Sequence, residues 1–112
     1  ARHEVKVTLS DVFYVSRKLL KNNGNLAIVH RPERLLEIFD LFRKNSIEPK
    51  RIRFVYEKAS KESTLVLIEG QKNGRPGLKI EKPLILYNED GSMTGEYEKL
   101  CVEVRIDESK EL

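Results

Sequence analysis

An α/β domain is what this sequence predicts, and three stretches predict it. Residues 26–29 read Leu-Ala-Ile-Val, a short unbroken apolar run. Residues 35–42 place Leu35, Leu36, Ile38, Phe39, Leu41 and Phe42 at helical spacing, and residues 50–56 alternate as Lys-Arg-Ile-Arg-Phe-Val-Tyr. A buried strand, a covering helix and a second strand with one wet face follow from these patterns, in that order.

The remaining elements fit around this frame. Thr8-Leu-Ser-Asp11 has the form of a capping box, a hydroxyl with a carboxylate three residues on. Leu9, Val12, Phe13, Leu19 and Leu20 then recur every three or four residues, predicting a helix over about 9–22 that Asn23-Gly24 closes through a left-handed glycine. The run at 26–29 shows no alternation, which suits a strand buried on both faces, as in a parallel sheet covered by helices. Pro32 fits the first turn of the next helix, and Arg43-Lys44 complement its negative end. In residues 50–56, Ile52, Phe54 and Tyr56 share one face and Arg51, Arg53 and Val55 the other. A polar loop at 58–63 leads to a strand at 64–69, whose antiparallel pairing with the previous one follows from the short connection. Asn73-Gly-Arg-Pro-Gly77 is a turn cluster, residues 84–87 are extended, and a second turn occupies 88–91. Residues 94–106 fit a short helix or a strand, and the helix is the preferred reading.

At 112 residues the chain suits one small domain, and 39% hydrophobic with 35% charged residues is a globular composition. No apolar run approaches the ~20 residues of a membrane span, and residues 1–11 lack the apolar segment of a signal peptide. A single cysteine, Cys101, leaves no internal disulfide or multi-cysteine zinc site, so the cytosol is the expected compartment. The chain opens on Ala1, which removal of an initiator Met or excision from a longer protein would each explain. Charge is uneven. Residues 1–58 carry thirteen Lys and Arg against seven Asp and Glu, a net of +6, and residues 59–112 carry eight against eleven, a net of −3. The basic half admits a polyanion as partner.

ARHEVKVTLSD, NGNLAIVHRPERLLEIFDLFRKNSIEPKRIRFVY and TLVLIEGQKNGRPGLKIEKPLILYNEDG together resemble the C-terminal half of a bacterial S-adenosylmethionine-dependent methyltransferase family. That family acts on adenine N6 of a valine tRNA beside the anticodon. The resemblance spans residues 1–97, with HRPERLLEI and KNGRPGLKI its most specific parts; the tail at 98–112 lies outside it. It implies the C-terminal part of a class I (Rossmann-like) methyltransferase sheet: a parallel strand plus an antiparallel hairpin, with covering helices. LAIV would be that sheet's fifth strand, RIRFVY its sixth and TLVLIE its seventh, lying between the other two. The family's glycine-rich cofactor loop and its catalytic Asn-Pro-Pro-Tyr do not occur in this sequence. The chain is thus expected to be the half of the enzyme without the cofactor and adenine sites, inactive alone, with the N-terminal half and tRNA as partners. The competing expectation is a non-enzymatic RNA-binding or interaction module of α/β fold.

No catalytic or metal-binding residue is expected, since two histidines and one cysteine offer no chelating spacing. Candidate substrate or RNA contacts form three groups. His30 and Arg31 occupy the carboxyl end of the 26–29 strand, the side where open α/β sheets bind ligands, although they also read as an ordinary helix entry before Pro32. Arg2 and His3 could touch RNA phosphates and a base, or be a frayed terminus. Lys50, Arg51, Arg53 and Lys58 form a basic stripe that suits phosphate contacts or guards a sheet edge against pairing. The cut sheet should also expose one edge of residues 26–29 and leave the helix faces of Val12, Phe13, Leu36 and Phe39 partly covered. Self-association of the isolated chain follows from that exposure.

Overall fold

A computed structural model describes residues 6–101. Thr8 starts helix α1 (Leu9–Leu19) with the expected capping box: its Oγ1 accepts from the Asp11 N–H at 3.1 Å, and its own N–H donates to Asp11 Oδ2 at 3.0 Å. The helix ends three residues before the expected 22. Lys72, far along the chain, donates its ammonium to the carbonyls of Arg17 and Leu20, the latter at 2.8 Å, meeting the C-terminal groups that another helical turn would have used. The left-handed residue in the following turn is Asn23 (φ 68°) rather than Gly24. Asn23 and Gly24 are stitched to the end of a strand by reciprocal backbone bonds with Lys72, at 3.1 and 2.8 Å.

Strand β1 (Asn25–His30) runs through Arg31 into a 3₁₀ turn (Pro32–Arg34) and helix α2 (Leu35–Lys44). Asn45 closes that helix by donating its side-chain amide to the Leu41 carbonyl at 2.8 Å, and Ser46, at φ 58°, turns the chain. Strand β2 (Ile47–Tyr56) begins earlier than the alternation at 50–56 implied. The pairing register shifts between Pro49 and Arg51, the kind of irregularity where a strand tolerates proline. Strand β3 (Ser63–Lys72) pairs antiparallel with both β1 and β2. Strands β1 and β2 are therefore parallel to each other with β3 inserted between them, as the resemblance implied. Two short strands, β4 (Lys79–Ile80) and β5 (Leu84–Ile85), lie parallel to β2 along its other edge. The first of these had no sequence signal. Residues 95–101 are helical, in line with the preferred reading of 94–106 as far as it is described.

The main core lies on one face of the sheet; Val55, expected with Arg51 and Arg53 on the wet face of β2, is instead buried in register with Leu84 of β5. Ile28, Ile68 and Ile52 are register partners across β1, β3 and β2, and they pack beneath Phe13, Ile38 and Phe42. The rings of Phe13 and Phe42 meet edge to face at 4.7 Å, joining α1 to α2. Two further expectations need correction. Phe13, expected to be partly covered, is fully buried, whereas Leu36 is 82% exposed. Strand β1 is buried on one face only, because α1 and α2 both lie on the same side; Ala27 and Val29 are exposed. An unbroken apolar run does not distinguish one covered face from two.

Candidate functional site

Alternation along the strands sets what the uncovered face presents. One row across it is Ala27, Glu69 and Arg51, and the next is Val29, Leu67 and Arg53. These side chains line an open groove of about 390 Å³ with an apolar floor over β1 and β3 and a charged wall on β2. Glu81, just after β4, closes the wall.

The charged wall is compensated internally. Arg51 reaches Glu69 Oε2 at 3.2 Å and Glu81 Oε1 at 3.4 Å. Arg53 reaches Glu96 Oε2 at 2.5 Å and donates from Nε to the Lys82 carbonyl at 3.1 Å. Pairs this exposed contribute about 0–1 kcal/mol each, so they fix geometry and local charge more than stability.

The basic stripe is therefore not one surface. Arg51 and Arg53 share the groove, whereas Lys50 donates to the Arg75 carbonyl at 2.8 Å and Lys58 to the Glu89 carbonyl at 3.5 Å, each tying down a loop. His30 lies across from Val66, in register with the helix-covered side of the sheet, and its Nδ1 accepts the Arg31 N–H at 2.8 Å. Neither His30 nor Arg31 lines the groove. Arg34 pairs with Glu37 on α2. Arg2 and His3 fall outside the described residues. Among the described residues no three His, Cys, Asp or Glu side chains are grouped as a metal site, and no helix is long and apolar enough to cross a membrane.

Sequence reading missed the acidic partners Glu69, Glu81 and Glu96. The charge of the second half was visible, but pairing it with Arg51 and Arg53 requires the register and the path of residues 79–96. Beyond the groove, Tyr97 meets Tyr87 edge to face at 5.6 Å, and electrostatic interaction with that neighbour holds the Tyr97 phenol above its ordinary value.

A search of solved structures finds this arrangement in a predicted O-methyltransferase from Agrobacterium tumefaciens. It aligns over 81% of this chain and 44% of that one, with a TM-score of 0.75 and 18% identity. The fold is thus a mixed α/β sheet similar to a methyltransferase fold, and this chain spans less than half the length of that neighbour. Neither a scan of family models nor a search of curated proteins finds a match.

The described residues do not fit the methyl donor S-adenosylmethionine that the sequence resemblance implied. A nucleotide-like cofactor needs glycines where backbone must approach it at a strand-to-helix turn. Here β1 passes into α2 through His30, Arg31 and Pro32 without a glycine. Gly70, the one glycine inside a long strand, is buried against Phe42 and Ile47. The cradle for such a cofactor is not built from these residues.

Proposed function

We propose that this chain is the C-terminal part of an S-adenosylmethionine-dependent methyltransferase that transfers a methyl group to adenine N6 in tRNA. The observation that supports the methyltransferase half of this reading is the placement of β3, antiparallel between the parallel pair β1 and β2, in a chain that aligns with 44% of a predicted O-methyltransferase. The choice of adenine N6 and tRNA rests on the likeness of HRPERLLEI and KNGRPGLKI alone. In this reading the N-terminal half supplies the cofactor cradle and the adenine site, and this half contributes no group to the transfer itself. It completes the sheet, forms the side of the active site near His30 and Arg31, and offers Arg2, Lys50, Arg51, Arg53 and Lys58 to RNA phosphates and His3 to a base, in the cytosol.

Joining the chain to the coding segment that precedes it, and incubating the product with S-adenosylmethionine and unmodified tRNA, tests this reading. Nucleoside analysis by mass spectrometry should reveal N6-methyladenosine. A methyl group found on an oxygen or another base would overturn the substrate. RNA binding without any methylation would favour an RNA-binding module instead.

A further inference from the structure

The two groove arginines are compensated in different ways. The carboxylates on Arg51 come from within the sheet: Glu69 is its β3 register partner, and Glu81 is fixed by its own N–H donating to the Ile52 carbonyl at 2.9 Å. Their backbones are held by strand pairing, so both carboxylates stay within reach of Arg51. The carboxylate on Arg53 comes from outside the sheet, from Glu96 in the first turn of the helix at 95–101.

That helix is anchored at its start, where the Thr94 N–H donates to the Leu86 carbonyl at 2.9 Å. Thr94 Oγ1 donates to the Ile85 carbonyl at 2.5 Å and accepts the Tyr97 N–H at 3.3 Å, and the Tyr97 ring rests on Tyr87. Residues 88–92 precede it as a closed turn, with Gly91 at φ 91° and the Asn88 N–H bonded to the Ser92 carbonyl at 2.7 Å.

We infer that Glu96 is a built-in competitor for RNA phosphate at Arg53, so that the helix at 95–101 masks part of the RNA-binding face. This inference rests on the RNA reading above. A guanidinium offers the same planar donors to a carboxylate and to a phosphate. The Arg53 side chain is 27% exposed and that of Glu96 60%, so the carboxylate lies on the solvent side of the pair, where an incoming phosphate would take its place. Arg53 Nε donates to the Lys82 carbonyl, a bond independent of Glu96 that orients the guanidinium.

Fluorescence anisotropy with labelled unmodified tRNA, over a range of salt, tests the masking. The 112-residue chain is compared with Glu96→Gln, Glu96→Ala, Arg53→Gln and the Glu96→Gln/Arg53→Gln double variant. Each Glu96 variant should bind about two- to fivefold more tightly at low salt, the span that exposed ion pairs cover. The salt slope should steepen by about 0.7–0.9 for one further phosphate contact. In the Arg53→Gln background the Glu96 substitution should change neither. Unchanged affinity in both Glu96 variants would overturn the masking while leaving RNA binding in place. A gain that persists without Arg53 would reduce it to a general charge effect and overturn it too. Absence of binding by every protein at low salt would overturn the RNA reading and the masking with it.

Discussion

The ring of Phe42 lies directly on the backbone of Gly70. A β-carbon built at Gly70 would come within 2.4 Å of the Phe42 Cε1 and within 2.9 Å of the Ile47 Cγ2. Gly70 pairs laterally with Leu26 and Pro49 on the helix-covered face, so α2 seats on β3 only because this position carries no side chain.

Gly70→Ala should therefore destabilise the fold by about 1–3 kcal/mol, since Phe42 is fully buried and must be displaced or strained. Chemical denaturation followed by circular dichroism measures it. A neutral or stabilising effect would mean that α2 slides on the sheet at little cost.

The capping box of α1 should show in both mutation and pH. Thr8→Ala is expected to cost about 1 kcal/mol, the usual value for an N-cap hydroxyl. The Asp11 carboxyl is held below its ordinary 3.8 by the Thr8 backbone N–H and then by the Thr8 hydroxyl. A lowered folded value gives stability that is present above the unfolded value and lost as the pH falls through the folded one. Thermal melts of the parent and Asp11→Ala should therefore differ at neutral pH and converge in acid below the Asp range.

The chain by itself should not bind S-adenosylmethionine, because the turn from β1 to α2 holds no glycine and Gly70 is occupied by the core. Isothermal calorimetry should register no heat of binding. Micromolar affinity would place a cofactor site in this half and would revise the proposed division of labour.

Self-association should follow from the edge of β1, which pairs only with β3 among the described residues. The strand carries no Lys or Pro within it, and Val29 stands 60% exposed on the open face. Sedimentation equilibrium should show a mass that rises with concentration, and Val29→Lys should suppress the rise. Val29 is a better site for this than the core residue Ile28, because its replacement leaves the packed face intact. A parent chain that stays monomeric at high concentration would exclude the edge as an interface.

Sequence alone was enough for the order of α1, β1, α2, β2 and β3, for the capping box at Thr8 and Asp11, and for the alternation of β2 from Arg51 to Phe54. These depend on residues within a turn or a few strand positions of one another, where periodicity and capping chemistry act directly. The position of β3 between β1 and β2 was legible through family likeness rather than periodicity. Tertiary structure alone decided where α1 stops, because the closing group, Lys72, is more than fifty residues from the carbonyls it meets. It also decided that only one face of β1 is covered, since both helices chose the same side. The fate of the basic stripe was decided in the same way: Arg51 and Arg53 meet Glu69, Glu81 and Glu96 through the register shift at Pro49 and the path of residues 79–96. Charges that far apart in the chain become partners only after strand register is set, and register is a property of the packed sheet.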